Sequence, residues 1–496
     1  MSHHCDGRSH KHFWDRREFL FRSGGGISGL ALSYLLNRDG LLAAAPPLSD
    51  PCAAAPVGVN PYAPKPPHFK PRATAVISLF MGGGWSQVDT FDPKPALTKY
   101  AGEPIDGKVK GDVIVRQGFP GPLMPSPFTF KKYGQSGMEV SEIFPYLSQH
   151  VDEIAFLRSV YGRSNDHVQG TYEMQTGQIN LGYPSVGSWV TYGLGSVATS
   201  LPAYVVMTDA RGGPLGGPND WSGGFMPAAY QGTLFRATGD PIVDLKPPAG
   251  MGVDEQRARL DALAKLNELD MEKFRGNSEL AARISSYELA YRMQSCAPSA
   301  IDTTNESEAT KKLYGLDDKM TEPFGRQCLM ARRLVEHGVR FVQIFAGGVG
   351  NQNVDTWDAH ADIVSNHRQH AKEVDLPTVG LLNDLKSRGL LDTTLVVMHS
   401  EFGRMPISQR GVGRDHNPGT QTVLMFGAGV KGGQAIGASD EFGYKAQEQP
   451  ISYHDLHATM LHLLGLDHTK LTYRFNGRDM RLTDVYGTLI PQIVNA

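Results

Sequence analysis

A series of short apolar runs, each closed by a glycine or polar turn, most constrains what this chain can fold into. The first is residues 73–81 (ATAVISLFM), followed at once by Gly82, Gly83 and Gly84. Its near-continuous apolar character suits a parallel strand covered on both faces. The glycines after it let the backbone approach a neighbour or ligand closely. Residues 154–160 (IAFLRSV), 203–207 (AYVVM), 339–345 (VRFVQIF), 395–398 (LVVM) and 423–426 (VLMF) repeat the pattern. Helical segments stand between them: VQGTYEMQTG after the turn GRSNDH, an amphipathic stretch over 324–337, and a long helix over 367–388. That long helix turns Val374, Val379, Leu382 and Leu385 inward, and a further helix (YHDLHATMLHLL) covers 453–464. Strands alternating with helices predict an α/β fold with a largely parallel sheet and helices on both faces.

Length and composition set the frame around this pattern. A chain of 496 residues holds one large domain with insertions, or two to three smaller ones. The expected organisation is a single domain over 73–490 with a helical insertion at about 253–322. There Leu260, Leu263, Leu266 and Leu269 recur at helical spacing and read as packing residues, continued by Leu280, Ile284, Tyr287 and Tyr291. A net charge of -3, with no basic stripe and no zinc-finger spacing, argues against a nucleic-acid partner. Residues 46–72 are Pro-rich and read as a linker.

The first 45 residues read as a targeting segment. Asp15, Arg16, Arg17, Glu18, Phe19 and Leu20 form a twin-arginine export motif ahead of a short apolar stretch, and the Ala-rich run before Pro46 is a cleavage region. Asn37, Arg38 and Asp39 interrupt that stretch well short of the ~20 residues a spanning helix needs. The expectation is export to the periplasm or beyond, with no membrane span after processing. Cys5, Cys52, Cys296 and Cys328 make no CxxC pair and no disulfide framework, and spacing alone leaves a Cys296–Cys328 bridge open.

The chemistry concentrates late in the chain. Asp358 and His360, in WDAH, alternate around Ala359 and follow the strand VRFVQIF, at the sheet edge where α/β proteins bind ligands. They read either as half of a Zn-, Mn- or Ca-type site or as an Asx-turn beside a surface histidine. Glu401 directly follows LDTTLVVMHS, where a carboxylate must be coordinated or paired, Arg404 being the candidate partner. In GRDHNP, His416 is the ligand candidate, Asp415 reads equally as a group to orient it or as a plain turn residue, and Arg414, with Arg404, suits an anionic substrate. His167 reads equally as ligand, substrate contact or helix-start residue, with Asn165 or Asp166 as cap. His454 and His457 share a helix face, and His454 or His457 is expected to hydrogen-bond within the fold rather than to hold a metal.

The strings GGGWSQVDTFDPKP, NDHVQGTYEMQTG, EFGR, GRDHNP, VKGGQAIGASDEFGY, HDLHATMLHLLGLDH and LTYRFNGRDMRLTDVYG, with the twin-arginine leader, resemble the secreted "domain of unknown function 1501" family over roughly residues 70–490. That family is grouped with the alkaline phosphatase/sulfatase superfamily. The resemblance implies a doubly wound α/β sheet and a site for phosphate or sulfate esters with one or two divalent metals (Zn, Ca, Mg or Mn). The implied metal ligands are Asp358, His360, Glu401 and His416, with Asp89 as the nearest match to the carboxylate after the first strand. An anionic ester, such as a sulfated polysaccharide, is the implied substrate. The slot for the superfamily's Ser, Thr or modified Cys nucleophile reads SNDHVQG here, with His167 near the expected position. Ser86 and Ser164 are the available hydroxyls, and the string from Cys328 to Arg332 departs from the sulfatase motif at Met330. Where the family often has GGPSH, this chain has Gly84, Trp85, Ser86 and Gln87, without the histidine. A binding or scaffold protein on the same fold is therefore the alternative to a hydrolase.

Overall fold

The computed structural model describes residues 62–115, 120–198, 200–237, 242, 252–273, 287–293, 300–348 and 355–495. The expected targeting segment, most of the expected linker, Leu280, Ile284, Cys5, Cys52 and Cys296 lie outside the described residues. Residues Pro56–Ala496 cluster as one compact unit.

A nine-stranded sheet runs through the described residues. Its strands are β1 (Ala75–Met81), β2 (Ala155–Tyr161), β3 (Tyr204–Thr208), β4 (Thr233–Phe235), β5 (Phe341–Ala346), β6 (Thr394–His399), β7 (Gln421–Gly427), β8 (Gln434–Ile436) and β9 (Ile451–Ser452). The order is β8-β2-β7-β6-β1-β5-β3-β4, with β9 also pairing β2. Every pairing is parallel except those of β7, which lies antiparallel between β6 and β2. The sheet is thus mixed and mostly parallel.

Strand β1 shows why the runs are continuous rather than alternating. Ile77, Leu79 and Met81 join one buried cluster with Leu329, Leu334, Val374 and Leu382. Val76 and Phe80 join a second with Trp189, Val190, Leu456 and Leu461. A strand buried on both faces needs a nearly continuous apolar run, and the one polar residue of β1, Ser78, is hydrogen-bonded to His399. The first cluster draws on α4 (Glu322–Glu336) and α5 (Ile363–Ser387), the second on α2 (Val186–Leu194) and α6 (Tyr453–Leu463), with α1 (His167–Thr176) following β2 and α3 being Val253–Lys273.

One expectation changes. Leu266 and Leu269 on α3 are exposed, so their helical spacing marks a surface face among the described residues and not a core one. Cys328 is buried on α4, where burial pushes its thiol well up, and its possible bridge partner Cys296 lies outside the described residues. No helix among the described residues is long and apolar enough to cross a membrane.

The topology sets where the chemistry gathers. The parallel strands β1, β2, β5 and β6 end at one edge of the sheet. Because β7 runs the other way, its beginning lies at that same edge, Gln421 opposite Val160 and Leu424 opposite Met398. The loops after β1, β2 and β5 and the connection from β6 to β7 therefore meet.

Candidate metal centre

Glycine packing brings those loops into contact. Gly83 has φ 108°, and a Cβ there would lie 2.6 Å from the backbone nitrogens of Trp357 and Asp358. The turn after β1 thus presses on WDAH, while Gly83 N–H donates to both oxygens of Glu401, at 2.9 and 3.1 Å. The glycine turn, expected to approach a ligand, approaches these two loops. GRDHNP closes the other side: Arg414 N–H donates to the carbonyl of Ala359, and residues Gly403–Arg404 pair antiparallel with His416–Asn417.

Four side chains converge there. His167, Asp358, His360 and His416 each offer a ligand atom, and these atoms all lie within 4.8 Å of one another. Asp358 Oδ1 is 2.9 Å from His360 Nε2 and 3.1 Å from His416 Nε2, and the two Nε2 atoms are 2.9 Å apart. His167 stands at the first turn of α1, whose N-cap is Asp166, accepting from Val168 and Gln169 N–H. Its Nδ1 lies 2.6 Å from Glu401 Oε1. Its Nε2 is 3.2 Å from Asp358 Oδ2 but too poorly aligned to hydrogen-bond, and is left buried without a partner.

The orientations decide what these atoms present. His416 Nδ1 is 2.7 Å from the carbonyl oxygen of Asn165. A carbonyl only accepts, so Nδ1 carries the proton and Nε2 of the neutral ring is a bare lone pair. Burial pushes His416 down to about 4 against the pull of Asp358. A lone pair aimed at a carboxylate oxygen 3.1 Å away is repulsive unless a cation lies between them. His167 answers the same field differently. Burial alone would lower it, but Asp358 and Glu401 on its two sides raise it to about 9, so in the metal-free arrangement the ring itself is the cation. Asp358 is held far below the usual carboxylate range: burial opposes this, and Arg404 with the three imidazoles outweighs it. These donors fit a metal ion: one carboxylate, three imidazoles, an orphaned nitrogen and second nitrogens tied down behind.

Not every expected site residue joins this group. Glu401 sits one step back, its carboxylate taken by Gly83 N–H, the Ser400 hydroxyl at 2.8 Å and His167. Its expected ion pair with Arg404 is replaced: Arg404 Nη2 is 2.6 Å from Asp358 Oδ1, with Nε on the Gly84 carbonyl at 2.7 Å. Arg414, expected to bind an anion, is fully buried on Asp89, Nε to Oδ2 at 2.7 Å. Asp89 is accordingly no part of the cluster, since Arg414 and the Ser86 hydroxyl occupy its carboxylate. Ser86 is buried with its hydroxyl committed to Asp89 and its N–H donated to His367, so it stands outside the cluster as well. The part of orienting His416, expected of Asp415, falls to Asn165. His457 Nε2 hydrogen-bonds the Met174 carbonyl within the fold.

Some participants carry no sequence signal. Gln409 Oε1 lies 2.5 Å from His360 Nδ1, and Asn165 acts through its backbone. Asp220, on the glycine-rich loop after β3, is fully buried with neither oxygen hydrogen-bonded, and burial raises its carboxyl to about 8, with Glu401's charge adding. Beside the cluster opens a small, half-open cavity of about 30 Å³ whose lining includes Phe80, Pro214, Leu215, Phe345, His167, Asp358 and Glu401.

The fold and site together describe an α/β protein with a buried His/Asp centre at the carboxyl edge of its sheet. The chain belongs to the family described as "Protein of unknown function (DUF1501)", whose model matches residues 73–494. No curated protein matches it. Among solved structures it is similar to the PsFucS1 sulfatase from Pseudoalteromonas sp., at 14% identity and TM-score 0.32 over 79% of this chain and 68% of that one. It is similar to the phosphonate monoester hydrolase SpPMH from Silicibacter pomeroyi, at 12% identity and TM-score 0.35 over 71% and 72%. It is also similar to the alkaline phosphatase from the Antarctic bacterium TAB5, at 12% identity and TM-score 0.31 over 80% and 99%. The functional reading below rests on the side chains rather than on these likenesses.

Proposed function

We propose that this protein is a metal-dependent hydrolase of phosphate or sulfate esters. The observation that carries the reading is the buried convergence of His167, Asp358, His360 and His416 beside a cavity, with the His416 lone pair aimed inward by Asn165. Three imidazoles and one carboxylate are the donor chemistry of zinc or a neighbouring first-row ion, whereas calcium and magnesium prefer all-oxygen sites. Such an ion supplies Lewis-acid chemistry and lowers the pKa of water. The protein's own part is positioning. Glu401 holds the Nδ1 proton of His167, Gln409 braces His360, and Arg404 holds Asp358. Hydrolysis breaks the ester P–O or S–O bond. The electron pair leaves on the alcohol oxygen, which takes a proton, while a water oxygen bonds to phosphorus or sulfur.

Export by the Arg16–Arg17 motif, to the periplasm or the cell exterior, belongs to the same proposal. The competing reading is a binding or scaffold protein on the same fold. Metal content of the purified protein, with turnover of a chromogenic ester panel, tests the hydrolase. His416→Ala is expected to lose metal and turnover together while staying folded, because ligand loss is local and the core rests on the strands. Full metal content in His416→Ala defeats the site assignment, and a metal-free, inert wild-type protein supports the scaffold.

A further inference from the structure

The cavity beside the cluster has an unusual balance for a protein expected to handle highly charged substrates. One wall is apolar: Phe80, Phe345, Pro214 and Leu215. The other carries His167, Asp358 and Glu401. Among the described residues that line it, none is Arg or Lys. The two arginines that sequence suggested for anion binding are fully buried and committed elsewhere, Arg404 to Asp358 and Arg414 to Asp89.

Charge around the centre points the same way. Asp358, Glu401 and Asp415 are buried carboxylates, and Arg404 is the buried cation among them. Asp89 and Arg414 cancel each other. Three carboxylates against one guanidinium leave no excess of positive charge among these side chains. No surplus positive charge is left for a doubly charged substrate. Each uncompensated charge in a water-poor site costs far more than at the surface.

We propose that the site takes monoanionic tetrahedral esters with an apolar organic group, and rejects dianionic phosphate monoesters and polysulfated glycans. Phosphodiesters and sulfate monoesters share this chemistry. A single negative charge approaches the cation, and the organic group lies on Phe80, Phe345 and Leu215, where burial of apolar surface holds it. The word "ester" rests on the hydrolase reading above, while the charge and shape preferences rest on the lining.

The test is calorimetric titration of the zinc-loaded protein with stable analogues. These are phenylphosphonate under conditions where it is doubly charged, its methyl monoester, phenylmethanesulfonate and a sulfated disaccharide. The methyl monoester or phenylmethanesulfonate is expected to bind at least roughly tenfold more tightly than phenylphosphonate. The tighter of the two monoanions separates the phosphodiester source from the sulfate source. Leu215→Lys, at a half-exposed position on the cavity wall, is expected to narrow that ratio by adding the missing cation. Equal or tighter binding of phenylphosphonate or of the sulfated disaccharide overturns the proposal, as does failure of every analogue to bind the zinc-loaded protein. Turnover of bis(4-nitrophenyl) phosphate, 4-nitrophenyl sulfate and 4-nitrophenyl phosphate on the same sample separates the two levels. Tight monoanion binding without turnover supports the preference and defeats the hydrolase. Fastest turnover of 4-nitrophenyl phosphate does the reverse.

Discussion

Replacing Arg404 with Met separates a buried positioning residue from a substrate-binding one. The Arg404 side chain is fully buried and donates to Asp358 Oδ1 at 2.6 Å, to the Gly84 carbonyl at 2.7 Å, to the Arg414 carbonyl at 3.0 Å and to the Gly83 carbonyl. Methionine keeps much of the apolar stem but removes every donor. Asp358 then keeps only His167 as a cationic neighbour, and breaking a buried ion pair costs roughly 3–5 kcal/mol. At ~2.1 cal/mol/K per residue over roughly 420 residues, the unfolding entropy is about 0.9 kcal/mol/K. The melting temperature of Arg404→Met should therefore fall by roughly 3–6 °C. The measurement is scanning calorimetry on chelator-treated protein, so that no metal substitutes for the lost cation. Adding metal afterwards should recover part of the loss, since saturation at about 100 times Kd stabilises by ~2.7 kcal/mol. An unchanged melting temperature together with weakened ester binding would refute the reasoning and return Arg404 to the substrate.

Asp375 gives a prediction in pH. Its carboxyl is buried on α5, accepts the N–H groups of Tyr146 and Leu147, and is pushed up to about 7 by burial against those two donors. Between an unfolded value near ~4 and that folded value the native state binds the extra proton, so this group lowers stability as pH rises through the window. Asp375→Asn should remove that slope, read as a smaller difference between urea midpoints at the two ends of the window, and an identical slope in wild type and variant counts against it. Changing Arg16 and Arg17 together to Lys should leave precursor in the cytoplasm, followed by fractionation and immunoblotting; unaltered export of the double variant excludes the route.

How far the site was legible follows from what each contact depends on. The strands were readable because burial on both faces demands a nearly continuous apolar run, as in β1, where only Ser78 is polar, and the loops after them could be placed at one edge. Asp358, His360 and His416 were readable as candidates to converge because they lie in turns next to strands that reach one edge of the sheet. Their partners were not readable. Glu401 and Arg404 lie three residues apart, yet the chain leaves β6 through a turn that sends Glu401 to the glycines after β1 and Arg404 to Asp358. Arg414 finds Asp89 across 325 positions, and Asn165 orients His416 with a backbone carbonyl that any residue would offer. The direction of β7 was hidden as well, since an apolar run reads alike both ways. That direction explains the placement of His416: a parallel β7 would carry its preceding loop to the far edge of the sheet. Running antiparallel between β6 and β2, it delivers GRDHNP to the edge where β1, β2 and β5 also end, and the fourth donor arrives on the loop before a strand instead of after one.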